Sequence, residues 1–396
     1  MKNILVNMGV RYDKVALIDD SKLIDFYCDD HQQKSTVDGI YFGIVKDSVR
    51  KYDSVFIDIG LDKNAYLQGD NTDKLPLCGE KVMVQVIRED TDTKGVAVSK
   101  NITLVGRYIV LLVNNSKKNT PKSKIMFSND FNTSLADNYR KDLKNVIKDT
   151  EDNVSIIVRH EAENIDIILL EEDIKNLLDT YNNLMKEYEH FASDKKIKDV
   201  GLRYQKDISD IVINEFYDRD TNKIICDKES TAKLIREKMD KYHMNSKIVE
   251  VYDKDSKLTM FESYKVDEEL KKALGRYAWL KSGGQIIIEH TEALTVIDVN
   301  SGKCEGKKDI EASSFKVNME AAKEIARQIR LRNISGIIVV DFINMKSEEN
   351  KKELLKALKE YVKEDKIKTN VVGITNLGLV EMTRQKKRKM LKDIIK

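Results

Sequence analysis

Two aspartates close two near-continuous apolar runs: Asp298 in LTVIDVN and Asp341 in GIIVVDFIN, 341 − 298 = 43 residues apart. Between them Phe315, Met319, Ala322, Ile325, Ala326 and Ile329 recur at helical spacing,. A strand–helix–strand unit of this length predicts a parallel crossover with its two strands side by side. Both carboxylates then stand at the carboxyl ends of parallel strands, where α/β sheets hold their active sites. Asn300 follows Asp298 by two residues and so shares its face,. Two carboxylates and an amide make an all-oxygen site suited to Mg²⁺, with Mn²⁺ as the alternative ion. The plainer reading is that each aspartate merely caps the turn that follows it. A metal beside basic patches suits phosphodiester hydrolysis, because it polarises the phosphoryl oxygen and acidifies a bound water. On this ground alone nuclease, phosphatase and polymerase all stay open.

The elements that must position these residues alternate strand and helix. They run IIIEH, LTVIDVN, a helix near 311–331, GIIVVDFIN, a helix near 347–363, NVVGITN and a basic helical tail. That order predicts an α/β layer, with the two aspartate-bearing strands buried on both faces. Upstream, residues 2–28 read as alternating strands. From 38 to 108 the segments GIYFGIV, SVFIDIG, NAYLQG, KVMVQVI, GVAVSK and RYIVLLV are separated by Gly, Asp and Asn turns. This is the pattern of a small antiparallel barrel or sandwich, of which an OB-fold is one form. Residues 134–152 and 171–195 read as helices, with VSIIVRH and NIDIILL between them as strands.

Length and composition set the outer bounds. The 396 residues suggest two or three domains,. Hydrophobic residues at 41% and charged residues at 34% describe a globular chain with a heavily solvated surface,. With 69 basic and 67 acidic side chains the net charge is 69 − 67 = +2, which excludes a histone-like polycation,. The charge is unevenly placed, however. Thr93–Asn129 holds Lys94, Lys100, Arg107, Lys117, Lys118, Lys122 and Lys124 with no acid, and Thr383–Lys396 is nearly as basic. Glu161–Ile174 holds six acids and no base. Basic blocks of this kind suggest local patches for phosphates, or simply solvated faces. Cys28, Cys78, Cys226 and Cys304 lie far apart without CxxC spacing, which argues against a disulfide scaffold or zinc knuckle,. MKNILVN is too short and too soon charged for a signal peptide, and no window approaches a membrane span. The expectation is a cytoplasmic protein.

The runs TEALTVIDVNSGK, NMEAAKEIARQIRLRNISGIIVVDFINM and ITNLGLVEMTRQ resemble the catalytic region of the ribonuclease E/G family. MKNILVN, GIYFGIV, VFIDIG, NAYLQ and SGGQIIIE follow in matching order, so the resemblance covers Met1 to about Arg388. It implies an endoribonuclease that cuts single-stranded RNA to 5′-phosphate and 3′-hydroxyl ends, in RNA processing or decay, rRNA included. By similarity Asp298 and Asp341 bind Mg²⁺, which activates the attacking water, and Asn300 hydrogen-bonds near the scissile phosphate and orients Asp298. The implied fold is α+β and α/β in several subdomains. An RNase H-like unit spans 1–36 plus 213–277, with an inserted S1-type OB-fold barrel at 37–109 and a 5′-sensor region at 110–212. A DNase I-like α/β catalytic unit follows at 278–396. In the barrel Phe56 and Tyr66 fall on the family's RNA-stacking aromatics and Lys94 on its lysine; the competing reading makes Phe56 a barrel core residue.

The chain departs from the family pattern in four places. Arg159 matches an arginine of the pocket that reads the RNA 5′-monophosphate, but His160 replaces its threonine and Asn376 replaces a second arginine. That predicts weak or absent 5′-phosphate recognition. Asn344 stands where the family commonly has an aspartate, removing a carboxylate near the metal. No CPxC-type zinc link is present, so no structural zinc is expected and a homo-oligomer would use other surfaces. The rival readings are an RNA-binding member of the fold with lost or reduced cleavage, and a small-molecule phosphatase.

Overall fold

The computed structural model describes all residues except 33–34, 50–52, 70–74, 91–93, 115–123, 149, 151–152, 195, 254–255, 303–309 and 396. The chain forms two compact units. One combines Met1–Lys34, Asp220–Ala232 and Ile248–Lys396; the other combines Ser35–Arg219 and Lys233–Lys247.

In the first unit Lys2–Met8, Tyr12–Asp19 and Lys22–Asp30 form an antiparallel meander. Asp20 and Ser21, at φ of 45° and 65°, supply the left-handed turn that joins two of these strands,. Lys2–Met8 then takes a parallel neighbour from far along the chain, Thr221–Cys226, and Val249–Val251 completes the five-stranded sheet. Leu5, Ala16, Leu23 and Ile225 pack in its core against Met260, Phe261 and Leu270.

A second sheet in this unit has the order Tyr277–Trp279, Gln285–His290, Leu294–Asn300, Gly336–Asp341, Val380–Arg384, Thr369–Ile374. Leu294–Asn300 and Gly336–Asp341 run parallel; every other pair is antiparallel. Helices Ile310–Leu331 and Glu348–Lys363 contribute Val317, Ala321, Ile325, Leu354 and Leu358 to the core shared with Ile286, Ile297, Val299, Ile338 and Val340. The expectation of strands buried on both faces is corrected. Along both aspartate-bearing strands burial alternates, and Val296 and Ile337 are exposed on the face away from that core. The exposed positions carry β-branched residues, which suit a pleated strand even in water, so an apolar run concealed a two-sided pattern.

The second unit contains a closed barrel of Ile40–Val49, Ser54–Asp58, Ala65–Gln68, Ala97–Ser99 and Lys81–Arg88, the last pairing back to the first. This five-strand order is consistent with an OB-fold. Val55, Ile57, Ala65, Leu67, Val84 and Val98 fill its interior. At Gly43 a β-carbon would lie 2.6 Å from Ile57 and 2.8 Å from the Asp58 carbonyl, so only glycine lets the first strand cross there,. RYIVLLV is not part of the barrel. Ile109–Val113 lies in a separate sheet of order Ile125–Phe127, Val154–Val158, Ile109–Val113, Ile102–Val105.

Two further expectations change. NIDIILL is not a strand: Asp166 accepts the Ile168 N–H at 3.0 Å and caps the helix Ile167–Ser193, whose buried Leu170, Ile174, Leu177 and Tyr181 keep helical spacing,. The tail is not one basic helix. Val380–Arg384 is a strand inside the sheet, and Leu391, the first residue of the short final helical turn Leu391–Ile394, is buried among the residues of the five-stranded sheet's core. No described helix is long and apolar enough to cross a membrane.

Candidate active site

Asp298 and Asp341 occupy directly paired positions on the two parallel strands. Adjacent strands lie about 4.8 Å apart, so the two carboxylates share one face of the sheet at neighbouring positions. Asp298 is half-buried and Asp341 exposed. Asn300 shares that face, and its Nδ2 donates to Asp298 Oδ2 at 2.7 Å. Only one oxygen of Asp298 is used by this bond, which fixes the carboxylate's rotation.

The loops that frame these residues are held by polar side chains whose importance sequence reading missed. Asn318, fully buried on the crossover helix, accepts the Ile343 N–H at 3.0 Å and donates to the Ile343 carbonyl at 2.7 Å. It therefore clamps the chain two residues beyond Asp341. Glu311 accepts the N–H groups of Lys346 and Ser347 at 2.9 and 3.1 Å, and these bonds hold its carboxyl below the usual range. Glu320 accepts the N–H groups of Lys281 and Ser282, the latter at 3.1 Å, and so anchors the SGG turn. A β-carbon on Gly284 would lie 2.8 Å from the Asn300 carbonyl, and one on Gly302, at φ +59°, 2.4 Å from the Gly283 carbonyl. The glycines let this turn close on the strand end that carries Asn300. The signal for Asn318 was present in NMEAAKEIARQIR: a polar residue on the apolar stripe of an amphipathic helix.

Two carboxylates and a carboxamide oxygen fit a hard divalent cation that keeps part of its water shell, as Mg²⁺ does. They do not form a closed protein cage, and among the described residues no group of three or more His, Cys, Asp and Glu gathers to hold a metal. Asn344 is exposed in the loop after Asp341. Cys304 lies outside the described residues.

In the barrel Phe56 and Tyr66 face each other across paired strands, with ring centroids 5.9 Å apart and planes tilted by 53°. Their strand neighbours Val55, Ile57, Ala65 and Leu67 point into the barrel core; the two aromatics alternate outward and are half-buried. The barrel-core reading of Phe56 is therefore wrong. Lys94 is exposed just before the last barrel strand. Of the basic run around it, Lys117, Lys118 and Lys122 lie outside the described residues. Arg107 does not belong to a surface patch: it is buried, donating to the carbonyls of Ile213 at 2.8 Å and Tyr217 at 3.1 Å.

Arg159 leaves the strand Val154–Val158 with its guanidinium already engaged. Nη1 donates to the carbonyls of Gly106 and Arg107 at 2.9 and 3.0 Å. Nη2 donates to Glu161 at 2.9 Å and to the Asn214 carbonyl at 3.0 Å. The exposed His160 has its Nδ1 3.1 Å from Glu163 Oε1. The acidic run thus supplies one carboxylate to each cationic candidate. The corner that receives Arg159 is itself fixed by buried Asp173, which accepts the N–H groups of Tyr108 and Ile109 at 2.8 and 3.0 Å and the Tyr242 hydroxyl at 3.0 Å. Burial pushes the Asp173 carboxyl up despite these bonds. A β-carbon on Gly106 would meet Asp173 Oδ1 at 2.4 Å. Asn376 is exposed in the turn between Thr369–Ile374 and Val380–Arg384, in the other unit.

Comparison with known proteins accords with this geometry. The model of the Ribonuclease E/G family matches residues 103–387. Ribonuclease G of Escherichia coli (strain K12) is 30% identical over 419 residues, covering 99% of this chain and 81% of that protein. Ribonuclease G of Haemophilus influenzae is 28% identical over 99% of this chain and 81% of its own length. Ribonuclease E of Buchnera aphidicola is 30% identical over 98% of this chain but only 40% of its own length. A family match over more than half its length, containing both aspartates at paired strand ends, shows that this chain belongs to the ribonuclease E/G family.

Proposed function

We propose that the protein is a Mg²⁺-dependent endoribonuclease that cleaves single-stranded RNA by hydrolysis, leaving 5′-phosphate and 3′-hydroxyl ends. The observation that carries this reading is the direct register pairing of Asp298 with Asp341, with Asn300 bonded to Asp298 on the same face. Asp298 and Asp341 are the residues that would hold Mg²⁺. When bound, the ion polarises the phosphoryl oxygen and makes a water more acidic at neutral pH. Asn300 keeps one oxygen of Asp298 occupied and directs the other outward. Water oxygen bonds to phosphorus as the bond from phosphorus to the 3′-oxygen breaks, and a proton ends on the leaving 3′-oxygen. Phe56 and Tyr66 supply outward rings on which bases stack, and Lys94 supplies backbone charge.

On this reading the sheet pairing the chain's first strand with Thr221–Cys226 is the RNase H-like unit, the barrel is of S1 type, and the six-stranded sheet is the DNase I-like catalytic unit. The substrate is a chain rather than a small molecule, because a phosphatase has no use for a barrel with paired outward aromatics. The decisive assay incubates a labelled AU-rich single-stranded RNA with wild-type protein and Asp298→Asn, with Mg²⁺ or EDTA. Products from wild type in Mg²⁺ alone are expected. Binding without magnesium-dependent products would favour an RNA-binding member of the fold that has lost cleavage.

A further inference from the structure

The chain has one tryptophan, Trp279, and it is 71% exposed. It lies on the short edge strand Tyr277–Trp279, whose intervening Ala278 and following Leu280 are buried in the sheet's core. The indole therefore points to the face opposite the helices. Strand register places it relative to the active site. Trp279 pairs with Gln285, which pairs with Asn300. Tyr277, 44% exposed, pairs with Ile287, which pairs with Asp298, which pairs with Asp341. Directly paired residues share a face, so two adjacent cross-strand rows run from an exposed aromatic to the catalytic groups. The separation is two strand spacings, about 10 Å, to Asn300 and Asp298, and three, about 14 Å, to Asp341,. A base attached next to a phosphate held at the aspartate pair spans that gap.

The platform is held firmly. Gly283 N–H donates to the Leu280 carbonyl at 3.0 Å and Leu280 N–H to the Gly284 carbonyl at 2.9 Å, closing the hairpin directly after Trp279. Glu320 fixes the tip of the same hairpin. An Arg276 guanidinium lies 5.6 Å from the centroid of the Tyr277 ring and pairs with Glu289. A single exposed apolar residue needs no explanation on its own. An exposed indole in register with Asn300, on the sheet face left uncovered by the helices, does.

We infer that Trp279, with Tyr277 beside it, is a base-stacking platform that seats the nucleotide next to the cut and favours the larger bases there. The inference rests on the ribonuclease reading and deepens it. Stacking tolerates every base because each has a π-face, with larger bases gaining more overlap. Trp279 is a specificity-determining position and not a reacting group.

Because Trp279 is the only tryptophan, its emission reports directly on the contact. In Asp341→Asn, short AU-rich single-stranded RNA is titrated while binding is followed by anisotropy of a labelled 3′ end. The expected result is quenching of tryptophan emission in step with binding. In otherwise wild-type protein, Trp279→Ala is expected to lower kcat/KM about tenfold, the order of one lost stacking contact, and Trp279→Phe to restore most of it. An abasic residue at one position next to the cut should erase the difference between wild type and Trp279→Ala. RNA binding with unchanged emission, or an abasic scan in which Trp279→Ala is equally impaired at every position, would overturn the inference while leaving the ribonuclease reading intact. A change of sedimentation coefficient in Trp279→Ala without RNA would assign the indole to contact with a second copy and overturn it as well. Absence of RNA binding by anisotropy would overturn both readings.

Discussion

Asn300 contributes one hydrogen bond, 2.7 Å long, to a carboxylate that has to keep its orientation when charged. Partners of metal-holding groups commonly matter by about 10–100-fold in metal affinity or activity. Asn300→Ala is therefore expected to lower cleavage by that order at fixed Mg²⁺, with part of the loss recovered as Mg²⁺ is raised; a magnesium titration of cleavage rate checks this. Arg159 illustrates the opposite case, a residue whose type suggests binding and whose surroundings employ it otherwise. Three backbone carbonyls and Glu161 take its donors, and Glu163 takes the neighbouring His160. Matched RNAs bearing a 5′-monophosphate or a 5′-hydroxyl should be cleaved at rates within a few-fold of each other. A large preference for the phosphate would show that RNA displaces those partners. The aspartate pair was legible in the sequence because strand period, crossover length and residue type agreed on it. The engagement of Arg159 was not, because Gly106, Arg107 and Asn214 reach it from some fifty residues away in either direction.

Elements were most legible where polar and apolar residues alternate, and least where apolar residues run together. IILLEEDIKNLL begins with four apolar residues that fit a buried strand or a helix equally well, and the deciding feature is Asp166, which caps the helix through the Ile168 N–H,. The tail misled for a related reason. Its lysines and arginines suggest a solvated helix, yet Arg384 is buried, donating to Asp365 at 2.6 and 3.2 Å and to Asn333 at 2.6 Å. Positive charge in the sequence is thus not the same as positive charge at the surface. Among the connections, the one from Asp341 to the following helix depends on Asn318. Asn318→Ala would leave both backbone groups of Ile343 without that partner, a loss of about 1–3 kcal/mol for each buried group left unsatisfied. Lower thermal stability together with reduced cleavage is expected, measured by calorimetry and by the RNA assay on the same preparation.

At the scale of the whole chain, the two units are interleaved in sequence, and the near-zero net charge averages over them. Arg107 and Arg384 count toward that charge but are spent on buried carbonyls and a carboxylate. Glu324 shows a similar internal use. Burial pushes its carboxyl up, but bonds from Arg327, Lys22 and Gln328 outweigh that and hold it below its ordinary value of 4.5. A group depressed in the folded state stabilises at pH above its unfolded value and loses that contribution as pH falls through its folded one. Glu324→Gln should therefore be less stable than wild type near neutrality, with the difference shrinking below about pH 4.5 in urea melts taken across the acid range.

Val380–Arg384 lies between Gly336–Asp341 and Thr369–Ile374, and Lys2–Met8 waits for Thr221–Cys226. A polypeptide made from its N-terminus exposes the first strand long before its parallel neighbour exists, and the strand bearing Asp341 remains an edge until Val380–Arg384 has been made. The two aspartates are therefore both made before the sheet that pairs them is closed on its far side by Val380–Arg384.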